Sequence, residues 1–218
     1  MKPVEVPPIV NPPRVGTKAL IGLAGLMAIT FVVIAVSPYR AMFGSEDAAR
    51  ETLQGFQFVY WPRRGWLLIH IFGGLVALLS GPVQLWLGLH KVKMAVHRKL
   101  GMLYMAGVTL GSVGAVGLAF QTDAGLIFGS GLFALALVWI ATTSFAYIAI
   151  RKGLVEQHRE WTIRSYVVTF AFVTFRAGQL GMIRWGVPLL TTIGVMAWAC
   201  WAVPLLVSEL VIQGRKLR

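Results

Sequence analysis

Six apolar runs, each long enough to cross a bilayer, constrain the fold of this 218-residue chain more than any motif does. A membrane-spanning helix needs about 20 mostly apolar residues. Here 57% of the residues are hydrophobic and only 13% are charged, against roughly 25% charged in soluble domains. The sequence therefore predicts an all-α bundle of six transmembrane helices, at residues 19–37, 65–88, 98–120, 126–150, 161–183 and 187–212.

Lysine and arginine in the connections predict how this bundle lies in the membrane. With six spans, 14 of these residues fall on the side that carries both termini and 5 fall on the opposite side. Because cytoplasmic loops are enriched in Lys and Arg, both termini are predicted to be cytoplasmic. A proline-rich tail at 1–18 and a basic tail at 213–218 would then both lie inside the cell.

The formal net charge of +12 and the single cysteine limit the partners and cofactors that the chain can be expected to bind. Since the positive charges lie in short connections, the predicted partners are membrane lipids and not nucleic acid. One thiol, Cys200, cannot form a disulfide within the chain, attach a c-type haem or ligate an iron–sulfur cluster. Hydrolase motifs such as HExxH and GxSxG are absent from the sequence, so a hydrolase is not predicted.

The connection at 38–64 is long enough to hold a short helix. Ser45 is a suitable N-cap, and acidic residues directly after it favour a helix N-terminus. We expect a surface helix without a specific partner there.

Elsewhere Glu160 and Arg164, four residues apart, are predicted to pair, while Asp123 and Glu209 are expected to be isolated and solvated.

Two histidines begin predicted spans in nearly the same sequence, His97 in "HRKLG" and His158 in "HREWT". The enrichment of Lys and Arg in cytoplasmic loops explains the presence of Arg98 and Arg159, but it does not explain the two histidines. Both spans begin on the cytoplasmic side, so the two imidazoles are predicted at one depth. The positive end of a helix dipole disfavours imidazolium, and neutral imidazole is the form that ligates a metal. His97 and His158 are therefore candidate joint ligands, with an ordinary solvated basic loop as the alternative.

A second polar pair is predicted in the opposite half of the membrane. His70 lies early in a span that starts outside, and Arg176 lies about 15 residues into a span that starts inside. An ionisable residue deep in a span is by default a functional-site candidate. Gln179 lies one helical turn beyond Arg176.

Glycines follow both of these histidines by one helical turn, as His70-x-x-x-Gly74 and His97-x-x-x-Gly101. Small neighbours would leave room for a flat cofactor beside a ligating imidazole. Gly107 and Gly111 continue this face of small residues. The alternative interpretation is close helix–helix contact, which small residues also permit.

Three stretches carry a family resemblance: "HIFGGLVALLSGPVQLW", "HRKLGMLYMAGVTLG" and "HREWTIRSYVVTFAFVTFRAG". Together they resemble a bacterial family of predicted membrane proteins known as domain of unknown function 2306, over roughly residues 65 to 183. The resemblance implies a multi-pass protein of the bacterial inner membrane with His70, His97, His158 and Arg176 at motif positions. The chain is also distantly similar to six-helix b-type cytochromes, which hold haems between paired histidines.

The leading functional hypothesis is a membrane oxidoreductase or electron-transfer protein. One haem b would be held by His97 and His158, and His70 with Arg176 would form an outer pocket for a quinone or a haem propionate. A second hypothesis is a non-catalytic subunit of a larger membrane complex or homo-oligomer, associated through Gly107 and Gly111. A small transporter lined by His70, Arg176 and Gln179 is the third.

Overall fold

The computed structural model describes residues 43–52 and 61–217, together with the single positions 22, 25, 26 and 29. All regular secondary structure in these ranges is helical. The helices are α1 (Glu46–Thr52), α2 (Arg64–His90), α3 (Met94–Gln121), α4 (Leu126–Arg151), α5 (Val155–Thr169), α6 (Ala171–Arg184) and α7 (Leu189–Lys216).

The all-α prediction is confirmed, and five helical stretches in the described ranges are long and apolar enough to cross a membrane. They correspond to the last five predicted spans, with α5 and α6 forming one of them. The predicted span 19–37 and the tail 1–18 lie outside the described residues, except for four helical positions between 22 and 29. At the C-terminus α7 continues to Lys216, so residues 213–216 of the predicted basic tail are helical.

Successive spans run in opposite directions, so the bundle has two ends. We call the end where α3 and α5 begin the His97 end, and the other the Trp61 end. The tight connection after α2 is closed by Lys91, which adopts a left-handed conformation with φ 52°. Gly153, with φ 74°, has the same role after α4. Both helix ends carry the hydrogen bonds of a Schellman-type cap, and both hairpins are therefore short.

Glycines bring α2 and α3 into backbone contact. A Cβ atom on Gly73 would collide with the backbone nitrogen of Gly111 and lie 2.6 Å from the Gly107 carbonyl oxygen. A Cβ atom on Gly114 would lie 2.5 Å from the His70 nitrogen. The small face of α3 is thus filled by α2 of the same chain. Of the two interpretations of Gly107 and Gly111, close helix–helix contact is the one the structure shows.

Two prolines lie inside spanning helices, and each leaves a backbone carbonyl that a hydroxyl from another helix satisfies. Proline has no N–H, so the carbonyl four residues earlier loses its helical donor. Pro82 in α2 frees the Leu78 oxygen, which accepts from the Tyr166 hydroxyl at 3.2 Å. Pro204 in α7 frees the oxygen of Cys200. That oxygen accepts from the Thr174 hydroxyl at 2.6 Å.

The span that contains α5 and α6 is interrupted at Phe170, where the sequence has no proline or glycine. The Thr169 hydroxyl donates to the carbonyl of Ser165, four residues earlier, at 2.9 Å. Such bonds compete with the backbone ladder and bend helices. His158 therefore lies on α5 and Arg176 on α6.

Charged residues at the His97 end join α5 to α7. Arg164 donates from Nε to Glu209 at 2.7 Å and approaches Glu160 at 3.5 Å, which confirms the predicted Glu160–Arg164 pair. Lys216 reaches the same Glu160 at 2.8 Å. The expectation that Glu209 is isolated is therefore wrong. It is wrong for Asp123 as well, because its carboxylate accepts two bonds from the guanidinium of Arg63, at 2.7 and 2.9 Å.

Candidate functional site

His97 and His158 occupy equivalent places in two helical hairpins, α2–α3 and α4–α5. Each is the fourth residue of the second helix of its hairpin. His97 Nδ1 bonds to the Gln84 carbonyl at 3.1 Å, and His158 Nδ1 bonds to the Ala146 carbonyl at 2.9 Å. A carbonyl only accepts, so Nδ1 carries the hydrogen in both rings. In the uncharged ring Nε2 is then left with its lone pair, which is the atom that would bind a metal.

The two half-buried rings lie against each other, as predicted from their common depth. Their centroids are 6.4 Å apart and their planes are nearly perpendicular, at 89°. A backbone carbonyl bonded to Nδ1 is the usual arrangement behind a metal-ligating histidine, because it fixes both the tautomer and the ring orientation. The pair therefore has the donor atoms and the supporting bonds of a two-imidazole ligand set.

The His97 ring packs against Gly88 of α2, where the lack of a side chain leaves room for it. A Cβ atom on Gly88 would lie 3.0 Å from Cε1 of that ring, so the imidazole rests against the backbone of α2. Gly101, predicted to leave room for a cofactor edge, instead accommodates the amide of Gln84, whose Nε2 would lie 2.9 Å from a Cβ there. Sequence reasoning missed Gly88, because the histidine that it contacts, His97, lies on a different helix.

The other predicted pair, His70 and Arg176, comes together at one cavity of about 130 Å³ towards the Trp61 end. The cavity is lined mainly by α2, α4, α6 and α7, with a few residues from α3 and α5, and most of its wall is aliphatic or aromatic. His70 Nδ1 donates to the carbonyl of Gly111 at 2.8 Å. Arg176 donates to the side-chain oxygen of Gln179 at 3.0 Å. Gly74 also lines the cavity, and a Cβ atom on it would meet nothing within 4 Å.

The short helix α1 covers this end of the bundle. Ala49 is fully buried in an apolar cluster with Leu67, Leu118 and Phe128, three residues that also line the cavity. The helix is a surface helix as expected, since its charged residues are exposed, but Ala49 packs within the chain. The sequence of α1 is mostly charged, and the one small apolar residue that faces the bundle gives no periodic signal.

A comparison with known protein families decides how the chain is classified. The family described as "Predicted membrane protein (DUF2306)" matches residues 67–212, about two thirds of the chain. The chain belongs to the DUF2306 family. No curated protein and no solved structure matches it. The matched range includes His70, His97, His158 and Arg176, and thus both polar pairs.

The DUF2306 chain also contains a buried polar network between its two polar pairs. Thr169 Oγ1 accepts from Trp139 Nε1 at 2.8 Å and from the Tyr104 hydroxyl at 2.6 Å, while its own hydrogen goes to the Ser165 carbonyl. Since the Tyr104 hydrogen is then used, the Ser165 hydroxyl donates to Tyr104 at 2.8 Å. Ser165 also lies 2.7 Å from the Thr143 hydroxyl. Three helices, α3, α4 and α5, are joined in this way.

Replacing Tyr104 by phenylalanine should lower the free energy of unfolding of the DUF2306 chain by about 1 kcal/mol. Polar contacts between membrane helices average somewhat below this value, and a buried group left without its partner costs more. Unfolding in mixed micelles with increasing denaturing detergent measures the change. Tyr147→Phe is the control, because that side chain is exposed on the bundle surface. Equal losses for the two variants would contradict the structural role of the network.

Proposed function

We propose that this protein is an electron-transfer protein that holds one haem b between His97 and His158, at the cytoplasmic side of a bacterial inner membrane. The observation that carries the proposal is the contact between the two imidazoles, which are perpendicular to each other with their centroids 6.4 Å apart. The excess of Lys and Arg around both histidines supports their assignment to the cytoplasmic side.

The distance between the rings favours ligands on opposite sides of one ion. Two imidazoles that each bind a metal at ~2 Å have ring centroids roughly 6 Å apart when they face each other, and roughly 5 Å apart at a tetrahedral angle. The separation in the structure is close to the first value, and His97 and His158 are the residues that would hold a haem iron. Within the described ranges no three His, Cys, Asp or Glu side chains come together to hold an ion. A bare ion would therefore have two protein ligands from this set, whereas a haem would supply further nitrogen ligands of its own.

The chain's own contribution would be to fix the two axial ligands. Bonds from Nδ1 to the carbonyls of Gln84 and Ala146 hold both rings in one tautomer and make Nε2 a better donor. Each ring is held by the preceding helix of its own hairpin. When bound, haem b supplies a centre that accepts and releases one electron.

The alternative role as a structural subunit has less support from the geometry. Gly107 and Gly111 motivated that hypothesis, and both are used in contacts with α2 of the same chain. A partner helix could not occupy that face without displacing α2.

An absorption spectrum of the purified protein tests the proposal. After expression with ample haem precursor, we expect a coloured protein with a Soret band that shifts and sharpens on reduction. The sharp visible bands of a low-spin haem with two nitrogen ligands should appear in the reduced state. A folded, colourless protein would overturn the proposal.

A further inference from the structure

We infer that the tip of the α2–α3 hairpin, at Lys91 and Lys93, binds the phosphate headgroup of an anionic phospholipid. This site lies on the surface of the His97 end, and it does not depend on haem. Three observations support it: the distribution of charge between the two ends of the bundle, the backbone conformation of the two lysines, and the apolar residues beside them.

The two ends of the bundle differ in charge. Among the described residues, the His97 end has ten lysines and arginines and three acidic residues, whereas the Trp61 end has five and four. All three acidic side chains at the His97 end already form ion pairs with basic residues of the chain. Seven basic side chains there have no ion pair with a described residue. Four of these seven lie in one hairpin, namely Lys91, Lys93, Arg98 and Lys99.

Lys91 and Lys93 have a backbone conformation that glycine adopts more readily. Their φ angles are 52° and 47°, in the left-handed region, and no other described residue except glycine has a positive φ. The α4–α5 hairpin has Gly153 at the place of Lys91, with φ 74°. The left-handed region is unfavourable for residues with a side chain, and those that occupy it are concentrated at functional sites. With lysine at these positions, the hairpin carries two cations at its tip.

The residues around the two lysines suit the boundary between lipid headgroups and acyl chains. Val92 lies between the lysines, Met94 and Val96 follow, and all three are exposed. Trp86 is also exposed, five residues before Lys91, and tryptophan concentrates at headgroup level. These apolar side chains would contact acyl chains while the lysine ammonium groups reach the phosphate. A phospholipid meets both requirements, whereas a water-soluble anion meets only one.

The α4–α5 hairpin at the same end offers a weaker site. Arg151 and Lys152 are exposed there, but Glu156 lies in the first turn of α5 and pairs with Arg159. The first turn of α3 contains no acidic residue. An anionic headgroup at the α2–α3 tip would therefore meet no carboxylate from the helix that follows it.

Calorimetric titration of the purified protein, in an uncharged detergent, with dioctanoyl phosphatidylglycerol tests the inference. Dioctanoyl phosphatidylcholine is the comparison ligand, because it has the same acyl chains and a phosphate but no net charge. We expect saturable binding of the anionic lipid and roughly tenfold weaker binding of the zwitterionic lipid. Inorganic phosphate carries the anion without acyl chains, and it should not displace the lipid at equal concentration. Lipid binding should weaken as NaCl is added.

The Lys91→Gly, Lys93→Gly double variant separates the charge from the backbone conformation. Glycine adopts the left-handed conformation freely, so the Tm should not fall. The affinity for the anionic lipid should fall roughly tenfold or more, because each lysine near an anionic surface contributes about fivefold. The Lys91→Arg, Lys93→Arg variant keeps both charges and should bind the lipid like the wild type.

The Arg151→Gln, Lys152→Gln double variant is the matched control, because it removes two charges from the other hairpin at the same end. It should bind the anionic lipid nearly as the wild type does. Equal weakening by the glycine and glutamine double variants would overturn the inference, because the total charge of this end would then explain the binding. Equal affinity for the two lipids, displacement by inorganic phosphate, or absence of anionic-lipid binding to the folded wild-type protein would also overturn it.

Discussion

Replacing either His97 or His158 by alanine should remove the haem absorption of this protein almost completely. Each variant would leave one axial ligand where the proposed site has two. Bonds from Nδ1 to Gln84 and Ala146 would be lost as well, but they are single contacts and the bundle should still fold. The absorbance ratio of the Soret band to the protein band, measured on variants purified in the same way, reports the loss.

His90→Ala is the matched control for both variants. His90 lies at the same end of the bundle and also bonds through Nδ1 to a backbone carbonyl, that of Trp86, at 2.8 Å. Its ring contact is with Trp86 and not with another histidine. The control should keep the full absorbance. If all three variants lost absorbance equally, a general effect on folding would explain the result better than loss of a ligand.

Replacing Gly73 by alanine should give the largest loss of stability among single small substitutions in α2. The added methyl group would collide with the backbone of α3 at Gly111, and no flexible side chain is available to move aside. Overpacking of this kind typically costs about 1–3 kcal/mol, and more where backbone must shift. The midpoint of unfolding in mixed micelles should fall clearly.

Gly74→Ala provides the comparison one residue further along the same helix. A Cβ atom at Gly74 meets nothing within 4 Å, and alanine favours a helix over glycine by up to ~1 kcal/mol. This variant should be as stable as the wild type or slightly more stable. If Gly73→Ala and Gly74→Ala had the same effect, the close approach of α2 and α3 at Gly73 would be refuted.

The sequence predicted what depends on length, hydropathy and helical spacing. Five spans follow from apolar runs, and the common depth of His97 and His158 follows from the directions of those spans. The same reasoning placed His70 and Arg176 in one half of the bundle, where both line the cavity.

Features that depend on contacts between helices could not be predicted. Glycines are common in membrane helices, so nothing in the sequence of α3 says that its small face meets α2 and not a cofactor. The break at Phe170 lies in a stretch without proline or glycine, so the sequence has no breaker signature there. In the sequence, the equivalence of the two hairpins is visible only as the dipeptide His-Arg that begins at residues 97 and 158. The carbonyls that bond to these histidines belong to the backbone, so no residue type predicts them.

The ratio of haem to protein tests the central claim most directly. Haem b can be released from the purified protein, converted to its pyridine complex and quantified against the protein concentration of the same sample. Because one contacting histidine pair is present in the described ranges, we predict one haem b per chain in the wild type and none in the His97→Ala, His158→Ala double variant. A ratio near zero for the folded wild-type protein, or an unchanged ratio in the double variant, would contradict the assignment of His97 and His158 as haem ligands.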